Sequence, residues 1–201
     1  MSFAIVPAAG HSTRMGRPKL SLPLAGRTVI EHVVTALYTG GCQTVVVVVG
    51  PHVSELVPLA AKAGAHVCLL AEPTPDMRAT VEHGLSWIER QFNPSPSTPW
   101  LLAPADHPTL DPTVVRELLA AHAATEHSIV VPTLYDKRGH PTLLTWRHVA
   151  GIRSQPADSG LNVYLRKHRD ETLELPVTNE SILCDLDTPA DYEKLLETFR
   201  W

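Results

Sequence analysis

Short apolar runs alternate along the chain with longer amphipathic stretches, and glycine, proline and asparagine separate them. Thr44–Val49, a threonine followed by five valines, is typical of a strand that is buried on both faces. The apolar runs predict strands over residues 3–6, 44–49, 66–70, 100–103, 128–131, 142–145, 172–175 and 182–186.

Helices are predicted from apolar periodicity and from capping residues. Thr28 and Glu31 have the spacing of a capping box, which predicts a helix that runs to about Tyr38 and ends at Gly40-Gly41. Asp111 before Pro112 predicts an N-cap. Further helices are predicted over residues 53–63, over 77–90 and from Thr188-Pro189 onward, where Asp191 is expected to cap.

Strand–helix alternation predicts an α/β fold with a mostly parallel central sheet and helices on both faces. Ligands of such sheets bind beyond the carboxyl ends of the strands. The last third of the chain has less helix and more short strands, so we expect a mixed edge there.

Composition narrows the function class. The chain has 201 residues and a net charge of −4, which fits one domain and gives no bulk attraction to nucleic acid. No apolar stretch could span a membrane and no leader opens the chain, so a cytoplasmic protein is expected. Cys42, Cys68 and Cys184 adjoin apolar runs and are predicted to be buried reduced thiols. The eleven histidines show no zinc-site spacing.

The segment after the first strand has the composition of an anion site. Ala8, Ala9 and Gly10 let a ligand approach the backbone, whose N–H groups can bind phosphate. Arg14 and Lys19 add cationic side chains. The segment has neither the Gly-Lys-Ser/Thr of a Walker loop nor a G-x-G-x-x-G fingerprint. The alternative is an ordinary charged surface loop.

Two later segments supply carboxylates. Asp106 follows an apolar strand, so its side chain is expected at the carboxyl edge of the sheet beside the phosphate site. Carboxylates next to phosphates favour a Mg²⁺ ion between them. Alternation along a strand would put Asp185 and Asp187 on one face. The alternative for all three aspartates is that they only cap turns and a strand end.

Pro7-Ala-Ala-Gly10-x-Ser12-x-Arg14-Met-Gly-x-Pro-Lys19-Leu20 resembles the opening motif of the MobA-like nucleotidyltransferases, in particular the molybdenum cofactor cytidylyltransferases. The resemblance extends from Val6 to Leu195. It implies a Rossmann-like nucleotidyltransferase fold, in which residues 1–125 bind the nucleotide and residues 126–201 form the acceptor side. It also implies transfer of CMP from CTP to a phosphate-bearing acceptor, with release of pyrophosphate.

The resemblance also implies roles for single residues. Arg14, Lys19 and Asp106 would be catalytic, and Asp106 would bind the metal although His107 replaces the family's Gln or Met. Asp187 precedes Thr-Pro like the second metal ligand of related enzymes, with Asp185 as the alternative. The ion would be Mg²⁺, with Mn²⁺ as a substitute.

Weaker matches concern the base and the acceptor. Pro75–Thr80 resembles the Gly-Met-Ser-x-Ser turn, which would place Met77 and Thr80 against the nucleotide, although Met77 fits a core position equally well. Arg138-Gly-His140-Pro and the segment around Asp158 resemble acceptor-binding stretches.

Ala8-Ala-Gly resembles the cytidine enzymes, whereas guanine enzymes have Ala-Gly-Gly. The expected ligands are CTP and molybdopterin, with a molybdoenzyme or chaperone as handover partner. The alternatives are a sugar or alcohol phosphate as acceptor, or a non-catalytic nucleotide- or cofactor-binding protein on the same scaffold.

Overall fold

The computed structural model describes residues 1–11, 15–157 and 159–199. Its strands are β1 (Phe3–Ala8), β2 (Pro23–Leu24), β3 (Arg27–Thr28), β4 (Thr44–Val49), β5 (His66–Leu69), β6 (Pro99–Leu102), β7 (Ile129–Leu134), β8 (Lys137–Arg138), β9 (Thr142–Thr145) and β10 (Thr172–Pro176). Its α-helices are α1 (Val29–Thr39), α2 (Leu56–Lys62), α3 (Met77–Phe92), α4 (Pro112–Ala123), α5 (Val149–Arg153), α6 (Leu161–Lys167) and α7 (Pro189–Thr198).

The central sheet has the strand order β10-β7-β9-β6-β1-β4-β5, and β8 pairs with β7. Strands β6, β1, β4 and β5 are mutually parallel, so their carboxyl ends lie along one edge. Strand β9 runs antiparallel to both of its neighbours, whereas β10 is parallel to β7. The sheet is therefore mostly parallel in its first half and mixed in its last third, as the sequence predicts.

Alternate residues of each strand contribute to two separate cores, one on each face of the sheet. Val45, Val47 and Val49 of β4 belong to the core that also contains buried residues of α1, α2 and α4. Val46 and Val48 belong to the core that contains buried residues of α3, α5 and α6. Burial on both faces explains why β4 is an unbroken valine run.

The helix starts follow the predicted caps. Thr28 N–H donates to Glu31 Oε2 at 2.7 Å in the capping box of α1. Asp111 Oδ1 accepts from Thr113 N–H at 2.7 Å at the start of α4. Thr188 and Asp191 form a second capping box at the start of α7, so the predicted capping role of Asp191 is confirmed.

The predicted strand over residues 182–186 is wrong. Glu180–Leu183 form a 3₁₀ turn that the Asn179 side chain caps, and residues 184–186 are not in a strand. Ile182 packs on Gly139, and its carbonyl accepts from His140 N–H. Short apolar runs do not distinguish a strand from other buried segments, and here β7 already pairs with β8, β9 and β10.

Smaller differences concern one helix and the cysteines. The predicted helix over 53–63 begins instead as a 3₁₀ turn, Pro51–Val53, before α2 starts at Leu56. Cys42 is buried, but Cys68 is only partly buried and Cys184 is exposed, so the prediction of three buried thiols is wrong for these two.

Within the described part of the chain, no helix is long and apolar enough to cross a membrane.

Candidate active site

A cleft of about 490 Å³ opens at the carboxyl ends of β1 and β6. Its volume lies within the range of small-molecule sites. The residues that line it come from the segments after β1 and β6, from the turn before α3 and from the segment before α7. They are Pro7–His11, Lys19, Leu20, Thr74–Met77, Thr80, Pro104–Asp106 and Asp187.

The backbone after β1 lies against this open space. Ala8, Ala9 and Gly10 all line the cleft, and a Cβ atom placed on Gly10 would meet no atom of the described residues within 4 Å. Among those residues, no side chain blocks the approach of a ligand to the backbone here. Arg14, the other cation predicted for this loop, lies outside the described residues.

Lys19 bridges the two predicted metal ligands. Its Nζ lies 2.6 Å from Asp106 Oδ2 and 3.0 Å from Asp187 Oδ1. Nζ also donates to the Leu186 carbonyl at 2.8 Å. Burial acts to lower the pKa of Lys19, but the hydrogen bonds and charges of Asp106 and Asp187 outweigh it and raise the pKa above its ordinary value. Lys19 therefore remains charged between the carboxylates.

The two aspartates are brought together by backbone contacts and not by adjacent strands. Asp106 follows β6, and its carbonyl accepts from Leu186 N–H at 2.8 Å. Asp187 N–H donates to Asp191 Oδ2 at 3.2 Å, next to the capping box of α7. The segment before α7 thus carries Asp187 into the cleft, whereas Asp185 is exposed to solvent.

The first turn of α3 forms the opposite wall of the cleft. Asp76 caps this helix by accepting from Ala79 N–H at 2.7 Å. Met77 is half exposed, so it is not a core residue, while Thr80 is buried and its hydroxyl lies 2.5 Å from that of Thr74. Both predicted nucleotide-binding residues of this turn therefore lie at the cleft.

Two neutral imidazoles pack behind Asp106. The rings of His107 and His140 meet edge to face with centroids 5.5 Å apart. Burial lowers the pKa of His107, and burial together with His107 lowers that of His140 to about 4. Among the described residues, neither Nδ1 atom has a hydrogen-bond partner.

The remaining acceptor predictions fall elsewhere. Arg138 lies on β8, and its guanidinium donates to Glu174 Oε1 at 2.7 and 2.9 Å, away from the residues that line the described cleft. Asp158 lies outside the described residues.

Sequence reasoning missed two features. His11 lines the cleft, and its ring stacks on that of His52 at a centroid distance of 3.9 Å. His148, His168 and Glu171 converge at the other end of the sheet, with potential metal-ligating atoms within 4.8 Å of one another. The spacing of His168 and Glu171, three residues apart, could have signalled part of the second group, but no spacing links them to His148 or links His11 to His52, because these residues belong to separate elements.

The second of these groups is a hydrogen-bonded cluster in which His148 is buried and His168 and Glu171 are partly exposed. His148 is buried, and its Nδ1 and Nε2 atoms lie 2.9 Å from Tyr164 Oη and 2.7 Å from Ser128 Oγ. Glu171 Oε2 accepts from Arg147 at 2.7 Å. Because both nitrogens of His148 already have partners, this arrangement stabilises the packing of the elements that it joins.

Comparison with known proteins agrees with this geometry. The chain is 31% identical to a nicotine blue oxidoreductase of Paenarthrobacter nicotinovorans, across 96% of this chain and 95% of that protein. It is 28% identical to a probable molybdenum cofactor guanylyltransferase of Carboxydothermus hydrogenoformans, across 96% and 93%. A structure of Rv0371C in complex with manganese, from Mycobacterium tuberculosis H37Rv, superposes with a TM-score of 0.75 at 24% identity, covering 98% of each chain.

The family assignment follows from a match over most of the chain. Residues 4–172 match the MobA-like NTP transferase domain, and this range contains β1, the loop after it and Asp106. The chain therefore belongs to the MobA-like NTP transferase family and has its Rossmann-like nucleotidyltransferase fold.

Proposed function

We propose that this nucleotidyltransferase transfers CMP from CTP to the phosphate of molybdopterin that carries molybdenum. The observation that supports the proposal best is the convergence of Lys19, Asp106 and Asp187 in one cleft beside the backbone of Ala8–Gly10. A cation and two carboxylates in one cleft fit nucleotidyl transfer, which depends on positioning and charge stabilisation.

The reaction would be a direct displacement. An acceptor phosphate oxygen attacks the α-phosphorus, a new P–O bond forms, and the bond to the bridging oxygen breaks so that pyrophosphate leaves with the electron pair. The backbone N–H groups of Ala8–Gly10 would hold the nucleotide. Lys19 and Arg14 would neutralise the charge that grows on the triphosphate in the transition state.

The donor set of the cleft fits a divalent cation. Asp106 and Asp187 come from separate segments, yet their oxygens turn toward a single positive centre, the Nζ atom of Lys19. Hard oxygen donors of this kind suit Mg²⁺ or Mn²⁺, and a manganese complex of a protein with the same fold supports the assignment. A bound ion would supply charge stabilisation to the phosphates.

The choice of base rests on the Ala8-Ala-Gly sequence, which resembles the cytidine enzymes. One relative is named a guanylyltransferase, so GTP is the alternative that the experiment must exclude. Molybdopterin is proposed as the acceptor because the segments around His140 and Asp158 resemble acceptor-binding stretches of the family. Arg138 belongs to one of these stretches, but it would have to break its ion pair with Glu174 before it could bind the acceptor.

The test is to incubate the protein with each nucleoside triphosphate, Mg²⁺ and molybdenum cofactor, and to measure pyrophosphate. We expect CTP to be preferred, because a site built for one base edge leaves polar groups unpaired with another base. Pyrophosphate release that is equal or faster with GTP would overturn the choice of base.

A second candidate function is oxidoreduction, which the name of the 31% identical relative favours. It would show as a colour change of nicotine blue with NADH or NADPH and no pyrophosphate release with any triphosphate. A non-catalytic binding protein would show neither activity, although it would still bind nucleotide.

A further inference from the structure

Arg78, on the first turn of α3, is bonded to a loop that is remote in sequence. Its Nη1 donates to the carbonyls of Gln155, Pro156 and Ser159 at 3.1, 2.7 and 3.1 Å. Its Nη2 donates to the Ala157 carbonyl at 3.4 Å. One guanidinium therefore binds four backbone carbonyls of the loop that joins α5 to α6.

The charge of this guanidinium is balanced by Glu82 of α3 and solvated by those carbonyls. The Arg78 side chain is only 11% exposed, and burial of a charge is costly unless it is paired or hydrogen-bonded. Glu82 Oε1 lies 3.4 Å from Nε and forms an ion pair with it, although neither of these two buried atoms makes a hydrogen bond within the described part of the chain. The carbonyls of the loop thus have to stay in place for Arg78 to remain buried, and Arg78 in turn fixes their positions.

This contact connects one wall of the cleft to a loop whose described residues lie outside the lining. Met77 and Thr80, which flank Arg78 in α3, line the cleft on the proposed nucleotide side. The loop of residues 155–159 lies in the part of the chain proposed to form the acceptor side. A planar fork of donors is needed for this arrangement, and the single ammonium of a lysine cannot reproduce it.

We propose that Arg78 is a positioning residue for the acceptor: it holds residues 155–157 and 159 on the first turn of α3, which lines the cleft, and so keeps the proposed acceptor side in place. The inference rests on the proposed function for the identity of the acceptor. Because Arg78 itself does not line the cleft, its loss would leave the nucleotide site intact and would loosen only the loop.

The test compares Arg78→Met and Arg78→Lys with the control Arg153→Met. Arg153 of α5 also binds α3, through Glu89 at 2.8 Å and Ser86 at 3.0 Å, but no bond from its side chain to the loop carbonyls is seen among the described residues. A general loss of packing between α5 and α3 would therefore affect the control as well.

Two measurements on the full chain separate the outcomes. In Arg78→Met we expect amide exchange at Gln155 and Ser159, which donate to Ile152 and Pro156 carbonyls, to become at least about tenfold faster. We also expect KM for molybdenum cofactor to rise at least about tenfold while KM for CTP and kcat change less than about twofold. Arg78→Lys should recover only part of both effects, and Arg153→Met should resemble the wild type.

Unchanged exchange in the loop would overturn the proposal, as would an equal rise of both KM values or the same changes in Arg153→Met. If the wild type releases no pyrophosphate with molybdenum cofactor and any triphosphate, the proposed function and the acceptor role of Arg78 both fail. The exchange result then still decides whether Arg78 holds the loop.

Discussion

At the scale of single residues, Lys19 is the charged group on which the proposed reaction depends most. It is the cation that the sequence places after the opening loop, and its Nζ contacts both Asp106 and Asp187. An ammonium that pairs with two carboxylates at the edge of the cleft is well placed to contact phosphates that bind there.

Lys19→Ala should lower kcat by on the order of a hundredfold or more, the usual effect of removing one charge-stabilising group. The free energy of unfolding should fall by about 1–3 kcal/mol, because the Lys19 ammonium is mostly buried and its loss leaves Asp106 and Asp187 without this partner. Pyrophosphate release and urea denaturation measure the two effects. Lys62→Ala, which removes an exposed lysine that pairs with Glu31, is the control, and near-normal turnover of Lys19→Ala would refute the phosphate-site assignment.

Substitution of each aspartate by asparagine, which keeps the shape of the side chain and removes its charge, tests which aspartates are needed for turnover and for Mg²⁺ binding. Asp106→Asn and Asp187→Asn should each abolish most turnover and weaken the Mg²⁺ dependence of CTP binding. Metal-free CTP binding should be equal or tighter, because a negative charge next to the phosphates is lost. Asp185→Asn is the matched control, since Asp185 is exposed and should retain activity. Calorimetric titration with and without Mg²⁺ measures the binding; wild-type binding that ignores Mg²⁺ would contradict the metal site.

At the scale of elements, α3 packs on the sheet through a glycine. A Cβ atom on Gly84 would lie 2.9 Å from the Cγ2 atoms of Ile5 in β1 and Val48 in β4. Both of these residues are fully buried, so neither side chain has free space to move into. The close approach of α3 to these strands places its first turn at the cleft.

Gly84→Ala should therefore destabilise the protein. Alanine favours a helix by about 1 kcal/mol over glycine, but overpacking a tight core costs about 1–3 kcal/mol. We expect a net loss of about 1 kcal/mol in the free energy of unfolding, measured by urea denaturation. His83→Ala, on the exposed side of the same helix, is the control. A Gly84→Ala variant more stable than the wild type would show that the helix can shift away from the sheet.

At the scale of the whole molecule, folding is sensitive to acid because of two buried histidines, His107 and His148, and the partly buried His140. Burial lowers the pKa of His148 to about 4, with Glu171 opposing and His168 and Arg147 reinforcing the effect. Burial also lowers the pKa of His107 and, together with His107, brings that of His140 to about 4. The unfolded chain therefore binds more protons than the folded chain below pH 6.5.

The free energy of unfolding should consequently fall as the pH drops from about 6.5 toward about 4, and it should be nearly flat just above that range. Each histidine adds up to about 1.4 kcal/mol per pH unit to the slope. His148→Gln should reduce the slope by about this amount, whereas His83→Gln, which replaces an exposed ring, should not. Urea denaturation at several pH values gives the slope, and an unchanged slope in His148→Gln would show that folding does not lower the pKa of His148.

The sequence by itself determined the features that depend on neighbouring residues. The capping boxes at Thr28 and Thr188, the valine strand β4 and the Pro112 helix start all follow from local hydrogen bonding and from burial on both faces of a sheet. The place of the opening loop at a carboxyl strand end follows from strand–helix alternation. Each of these features depends on residues that are close in the sequence, so the pattern of residue types along one segment is enough to predict it.

Only the tertiary structure decided which distant residues meet. Asp187 reaches Lys19 from the start of α7 and not from a strand, and Arg78 meets the carbonyls of residues 155–159. Residues 180–183 form a 3₁₀ turn because β7 already has its strand partners and Ile182 packs on Gly139. Such contacts depend on the packing of elements that are far apart in the chain, and no periodicity or spacing within one segment encodes them.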